Sequence, residues 1–116
     1  KARKVFGGAV AELQVPQHVL ADVSTDLEAA DALTERAVIA LDNKSGATIA
    51  AAHAKKFSAG MAMRRIADCM QMMGAAGALG DYPLARHLAC AKLAQIVDGT
   101  SEIQNVVLSR ALFSQA

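Results

Sequence analysis

Residues 98–104, Asp98-Gly99-Thr100-Ser101-Glu102-Ile103-Gln104, place a carboxylate and a glycine directly before the start of an amphipathic helix. Ser101 and Gln104 have the spacing of a capping box, which predicts that this helix begins at Ser101 and runs to about Ser114. A helix N-terminus has free backbone N–H groups and the positive end of the helix dipole, so it can bind an anion or a carbonyl oxygen. The stretch therefore predicts either a site for acid–base chemistry or an ordinary capped helix after an Asp-Gly turn.

Three more helices are predicted upstream. Pro16 can open the first, because the N–H that proline lacks has no partner there, and Pro83 can open a shorter helix that runs to about Gln95. Between them, the turn cluster Asp42–Gly46 starts a second long helix, which ends in residues 74–80. Apolar side chains recur at helical spacing in both long helices: Leu20, Val23, Leu27, Ala30, Ala37 and Leu41, then Ile49, Phe57, Met61, Ile66, Met70 and Met73. Long helices joined by a short turn lie antiparallel, so the predicted fold class is all-α, an up-and-down helical bundle.

Composition narrows the class of protein further. The chain has 116 residues, which suits one domain, and a net charge of +1, which gives no reason to expect nucleic acid. It is 53% hydrophobic and 3% aromatic, so we expect closely packed helices with a core of Leu, Val, Ile and Met. Charged or polar residues interrupt every apolar run, and no membrane insertion is expected. Cys69 and Cys90 have no metal or disulfide spacing, which favours a reducing cytoplasm. No metal site is expected at His18, His53 or His87, which share no spacing with carboxylates or cysteines.

The stretch Ile96–Gln104, followed by Val107 and Arg110, resembles the C-terminal signature of the acyl-CoA dehydrogenases, which usually reads Ile-Tyr-Glu-Gly-Thr-Ser-Glu-Ile-Gln. Other segments resemble the family in the same order, over about Arg3 to Leu112. They are Arg3–Gly7 with Gln14, similar to Arg-Lys-x-Phe-Gly…Gln; Leu20–Asp22 and Ala29-Ala30 in the next helix; and Gln71–Gly77 with Tyr82-Pro83, similar to Gln-x-x-Gly-Gly-x-Gly and the turn beyond it.

The resemblance implies that residues 1–116 form the C-terminal helical domain of such an enzyme, without the N-terminal helical domain and the central β-domain. On this interpretation much of the domain's first helix could be missing, with Lys1–Lys4 as its frayed end. We therefore expect the isolated chain to be helical but inactive. A fragment, one half of a split protein and an expression product all fit this expectation.

The family removes two hydrogens from an acyl-CoA thioester: a carboxylate takes the α-proton, and the β-hydrogen leaves as hydride to FAD. The resemblance implies that Asp98 is the catalytic base and that Gly99 lies against the substrate. It also implies four groups of FAD contacts, some of them to the FAD of a neighbouring subunit, and hence a homo-oligomer, a dimer or a tetramer. An electron-transfer flavoprotein would fit as the acceptor. The implied FAD contacts are Arg3, Lys4, Val5, Leu13, Gln14, Gln71, Met72, Met73, Gly74, Ala75, Thr100, Ser101 and Glu102.

Several positions depart from the family pattern. Asp98 stands where the base is usually Glu, and its side chain is about 1.5 Å shorter; a misplacement of about 1 Å can cost roughly a hundredfold in rate. Ala75 replaces the second glycine of the Gly-Gly pair, which matters for close approach only if its φ is positive. Ala89-Cys90 replaces a charged Arg-Asp pair.

The departures leave three functions open. The first is an active acyl-CoA dehydrogenase with Asp98 as base. The second is a flavoenzyme similar to nitroalkane oxidases, relatives that use an aspartate base. The third is a non-catalytic partner subunit that completes a helical bundle and lends FAD contacts to an active neighbour.

Overall fold

A computed structural model of the chain describes residues 4–114. Within them a short β-hairpin and a single 3-10 turn, Val10–Glu12, precede five α-helices. The hairpin strands are β1 (Lys4–Val5) and β2 (Gly8–Ala9), and the helices are α1 (Gln14–Asp42), α2 (Ala47–Met73), α3 (Ala75–Ala78), α4 (Leu84–Ala94) and α5 (Ser101–Phe113). Within this part of the chain, no helix combines the length and the apolar character needed to cross a bilayer.

The central element of the bundle is α2, which packs against α1, α3, α4 and α5. A short turn at residues 43–46 reverses the chain between α1 and α2, and Gly46 provides the left-handed backbone conformation that this reversal needs, with a φ of +68°. The predicted all-α class and up-and-down bundle are therefore confirmed.

The predicted helix boundaries agree with the structure to within two residues. Pro16 lies in the first turn of α1, which begins at Gln14. Gly74 follows the last residue of α2 with a φ of +62°, and Pro83 is the residue immediately before α4. Local chemistry sets these boundaries, since proline and glycine end or begin helices whatever they pack against.

The predicted composition of the core was wrong. Apart from Met61 and Leu108, the buried hydrophobic side chains in the described part of the chain are all alanines: Ala30, Ala50, Ala52, Ala54, Ala59 and Ala91. Small side chains at a contact allow helix axes to come closer together, since interaxial distance depends on the residues between them. The larger apolar residues surround this alanine-lined contact.

The predicted inner face of α1 was also partly wrong. Ala30 is buried there, but Leu20, Leu27 and Leu41 are at least half exposed. The side chains that point inward recur at alternating steps of four and three residues, and include Val19, Val23, Ala30, Leu33 and Ala37. The exposed leucines form a second apolar stripe, which sequence periodicity alone could not distinguish from the first.

An ion-pair cluster joins α1 to α2. The Arg65 Nε lies 2.7 Å from Asp26 Oδ2, and its Nη1 lies 3.1 Å from Asp68 and 3.7 Å from Asp22. Because the guanidinium donates hydrogen bonds to the Asp26 and Asp68 carboxylates, the pKa of Arg65 is raised, against an opposing effect of desolvation. Arg65 therefore fixes the register of the two long helices.

A short hairpin begins at Lys4, which had been expected to belong to a frayed helical end. Lys4 pairs with Ala9 and Val5 with Gly8, and residues 1–3 lie outside the described part of the chain. The two turn residues, Phe6 and Gly7, have φ values of +51° and +86°, as a two-residue hairpin turn requires. Strands of two residues show no period, so the sequence pattern could not predict them.

Candidate functional site

The loop that carries Asp98 connects α4 to α5. Asp98 is exposed and has a φ of +54°, and Gly99 follows with a φ of +93°. The left-handed region is costly for most residues, but a short Asp side chain tolerates it because it can hydrogen-bond locally. Aspartate is therefore matched to this backbone, a compensation that the sequence alone did not indicate.

The capping box had predicted Ser101 as the N-cap of α5. The N-cap in the structure is Thr100. The Thr100 hydroxyl accepts a hydrogen bond from the Ile103 backbone N–H at 3.3 Å. Gln104 does fold back, but its side-chain Nε2 donates to the Gly99 carbonyl at 3.1 Å. Because both neighbouring residues carry hydroxyls, the sequence could not determine which one caps the helix; the predicted start at Ser101 is confirmed.

Glu102 lies in the first turn of α5, where a negative charge is favourable. Its pKa is lowered, mainly by a hydrogen bond from its own backbone N–H and then by one from the Thr100 side chain, with a smaller contribution from the charge of Lys92. Glu102 is therefore ionised at neutral pH and stabilises the start of this helix.

Contacts with the end of α4 and with α2 hold the Asp98 loop. The Val97 backbone N–H donates to the Leu93 carbonyl of α4 at 3.0 Å, and the Ser101 N–H donates to the Gln95 carbonyl at 3.1 Å. The Lys55 ammonium, on α2, donates to the Val97 carbonyl. The carbonyl of the peptide bond that enters Asp98 is thus held by Lys55, and the N–H of the preceding peptide unit is held by α4.

The other predicted cofactor residues form a second group near the far end of α2. Gln71 lies sixteen residues after Lys55 on this helix, which corresponds to about 24 Å of axial rise. Because Asp22 and Asp26 lie opposite Arg65 and the two helices run antiparallel, Leu13 and Gln14 lie toward the same end as Gln71. The hairpin residues Lys4 and Val5 precede them directly.

The structure therefore brings Asp98, Gly99, Thr100, Ser101 and Glu102 together in what we call the base loop. It gathers Lys4, Val5, Leu13, Gln14, Gln71, Met72, Met73, Gly74 and Ala75 toward the other end, as the distal group. Arg3 lies outside the described residues. The two groups do not meet within one chain.

Tight packing shapes the distal group. A Cβ on Gly77 would lie 2.9 Å from the Met70 Cα and carbonyl oxygen, so the segment after α2 can fold back only with glycine here. The φ of Ala75 is not positive, which removes the obstacle that its substitution for glycine had suggested. Gln71 and Gly74 line a cleft of about 300 Å³ together with Leu88.

A larger cleft, of about 680 Å³, lies elsewhere on the bundle, between α1, α2 and α5. His53, Lys56 and Arg64 line it, over an apolar floor that includes Phe57 and Leu108. None of the predicted site residues lines this cleft.

Sequence analysis missed two residues beside the predicted site. Phe6 is 99% exposed at the hairpin tip and holds a positive φ, which is rare for a bulky residue. Its position in the Phe-Gly pair was the available signal, since exposed aromatics in unusual conformations often serve binding. Lys55 had no signal, because its contact with Val97 spans 42 positions of sequence.

Comparison with known proteins identifies the family. Residues 1–113 match the model of the acyl-CoA dehydrogenase C-terminal domain. The chain is 36% identical to cyclohexane-1-carbonyl-CoA dehydrogenase of Geobacter metallireducens, covering 100% of this chain and 30% of that protein. It is 38% identical to the mitochondrial short-chain specific acyl-CoA dehydrogenase of Bos taurus, covering 92% and 26%. Butyryl-CoA dehydrogenase from Megasphaera elsdenii superimposes with a TM-score of 0.93 at 35% identity, covering 97% and 30%.

The fold is that of the C-terminal helical domain that this family model describes. The chain belongs to the acyl-CoA dehydrogenase family. It spans less than a third of the length of these relatives.

Proposed function

We propose that this chain is the C-terminal part of an FAD-dependent dehydrogenase that introduces an α,β double bond into an acyl-CoA thioester, with Asp98 as the catalytic base. The observation that carries the proposal is the base loop itself. It presents an exposed carboxylate on a backbone held by contacts with α4 and α2, directly before the N-terminus of α5.

The chemistry requires a base that is close and aligned, because the α-carbon of a thioester is a weak acid. The Asp98 carboxylate takes the α-proton as the Cα–H bond breaks. Bound FAD supplies the acceptor for the hydride that leaves the β-carbon. Gly99, which has no side chain, lets the substrate approach the loop backbone closely.

The residues of the distal group fit part of FAD. Lys4 provides a cation for the diphosphate, and the exposed Phe6 ring provides a flat apolar face for an aromatic base. Thr100, Ser101 and Glu102 are proposed to contact a different FAD, because about 24 Å of helix separates the two groups. This separation supports a homo-oligomer, a dimer or a tetramer, in which subunits share cofactors.

The names of the relatives guide the choice of substrate. We infer an acyl-CoA whose acyl group is short or cyclic, since the relatives described above include short-chain, butyryl- and cyclohexane-1-carbonyl-CoA dehydrogenases. A shorter base needs a substrate whose α-carbon lies closer to the loop. An electron-transfer flavoprotein as acceptor and a cytoplasmic location belong to the same proposal.

The test uses the full-length protein and its bound flavin absorbance, followed anaerobically after addition of butyryl-CoA or cyclohexane-1-carbonyl-CoA. We expect the wild-type flavin to bleach with one of them. Asp98→Asn should abolish bleaching while FAD content is unchanged, because the amide cannot accept the proton. Asp31→Asn, an exposed aspartate on α1, is the matched control and should bleach normally. Wild-type bleaching rates in Asp98→Asn would show that the base lies elsewhere.

An aspartate base is also compatible with proton abstraction from a nitroalkane, which is the second candidate. Adding nitroethane to the same anaerobic protein distinguishes the two reactions. A flavoenzyme that acts on nitroalkanes should bleach with nitroethane, whereas an acyl-CoA dehydrogenase should not. A protein that binds flavin but reacts with neither substrate until a paralogue is added would instead be a partner subunit.

A further inference from the structure

We propose that Lys55 is a positioning residue for the catalytic loop: its ammonium, donated from the central helix to the Val97 carbonyl, fixes the peptide plane from which Asp98 projects. This inference rests on the proposed function of Asp98. It adds a residue from α2, more than forty positions upstream, to the base loop.

Lys55 acts on Asp98 through the peptide bond that joins Val97 to Asp98. A peptide unit is planar, so a hydrogen bond to the Val97 carbonyl also orients the backbone nitrogen of Asp98. The Val97 N–H is bound to the Leu93 carbonyl at 3.0 Å. With Lys55 on its carbonyl, Val97 is held by α4 on one side and by α2 on the other, and the direction of the Asp98 Cα is set.

The backbone of Asp98 and Gly99 is strained. Asp98 and Gly99 have φ values of +54° and +93°, and a residue in the left-handed region stays there only when surrounding contacts determine it. The Gln104 amide holds the Gly99 carbonyl at 3.1 Å, downstream of Asp98. Lys55 is its upstream counterpart, so the two hydrogen bonds hold the strained pair between them.

A lysine at position 55 suits this positioning role. Lys55 lies on α2, the best-packed element of the bundle. The buried Ala52 and Ala54 precede it on this helix, and the half-buried Phe57 follows it. A charge-assisted hydrogen bond to a carbonyl is stronger than a neutral one. The next residue, Lys56, is exposed and lines the cleft between α1 and α5, so it provides a matched control outside the base loop.

The experiment compares Lys55→Met, Lys55→Arg and Lys56→Met in the full-length flavoprotein. We measure hydrogen exchange in peptides covering residues 96–101, FAD content, and the rate and apparent substrate affinity of anaerobic flavin reduction. Met has similar length but donates no hydrogen bond. Lys55→Met should speed exchange in the loop and lower the reduction rate by roughly 10- to 100-fold, since a shift of about 1 Å has such an effect.

Substrate affinity and FAD content should change little in Lys55→Met, because Lys55 touches neither ligand in this proposal. Lys55→Arg, which keeps a cationic donor, should recover most of the rate, and Lys56→Met should match the wild type. The inference is overturned if Lys55→Met leaves either loop exchange or the reduction rate unchanged, or if Lys55→Arg is as impaired as Lys55→Met.

Failure of the proposed function has a different signature. If the wild-type flavin is reduced by no acyl-CoA, hydrogen exchange still measures whether Lys55 orders residues 96–101. Faster exchange in Lys55→Met then supports the anchoring of the loop, and unchanged exchange overturns it. If Lys55→Met does not fold, Lys55→Leu, which also donates no hydrogen bond, replaces it in the same comparison.

Discussion

Asp98 shows how a single backbone angle can explain a change of residue type. A shorter base first suggests lost reach, yet its φ of +54° is one that aspartate adopts more easily than longer side chains do. The loop and its aspartate are therefore matched to each other, and a longer carboxylate would gain reach at the expense of loop conformation.

Gly99 provides the sharpest prediction at the residue scale. A Cβ here would lie 2.8 Å from Gln104 Nε2, in a backbone conformation with a φ of +93°. We expect Gly99→Ala to lower stability by about 1–2 kcal/mol and to slow flavin reduction, because the Gln104 hydrogen bond must break or shift.

Thermal unfolding and flavin bleaching of the full-length protein measure both effects. Gly80→Ala is the control, since its Cβ meets nothing within 4 Å and its backbone is not left-handed. Equal behaviour of the two variants would mean that the base loop is not held as the structure indicates.

Helices were the most predictable elements because their ends carry local signals. Pro16, Pro83 and Gly74 act on the backbone of their own segments, so their effects can be read without knowledge of the fold. The buried face of α1 could not be read in this way. Leu27 and Ala30 both fit a helical period, and only packing against α2 selects the alanine.

Two glycines in helices allow a paired prediction at the element scale. Gly60 is in the middle of α2, and an added Cβ would meet only Arg64 Nη1, at 3.5 Å. Gly60→Ala should therefore raise stability by about 0.5–1 kcal/mol, because glycine is a poor helix former. Gly77→Ala should lower stability by roughly 1–3 kcal/mol, since its Cβ overlaps the Met70 backbone.

Thermal unfolding of the two variants of the full-length protein measures the difference. A destabilised Gly60→Ala would indicate that another part of the protein packs against this glycine. A neutral Gly77→Ala would indicate that the turn after α2 can move away from Met70.

At the scale of the whole molecule, the resemblance named candidate site residues but not how they are distributed. The resemblance named both the base loop and the distal group. Their separation depends on the length of α2 and on the pairing of Arg65 with Asp22 and Asp26, neither of which a motif records. The cofactor assignments remain predictions, and the separation indicates how to test them.

Mixed oligomers provide that test. If one FAD uses the base loop of one subunit and the distal group of another, a hybrid of Asp98→Asn with a Lys4→Ala/Gln71→Ala subunit contains one intact site. We expect each homogeneous variant to be impaired and the hybrid, prepared by co-expression with different tags, to regain flavin reduction. Hybrids no more active than their parents would mean that the base loop and the distal group of the same subunit serve one cofactor.

The exposed leucines of α1 also bear on how the chain responds to denaturant. Leu20, Leu27 and Leu41 are already at least half hydrated in the folded chain, as are Leu112 and Phe113 of α5. The steepness of a urea transition follows the surface that unfolding newly exposes, and so does the accompanying heat-capacity increment. The chain on its own should therefore melt over a broad range of urea, with a shallow slope for its length. Association that covers these leucines would sharpen the transition.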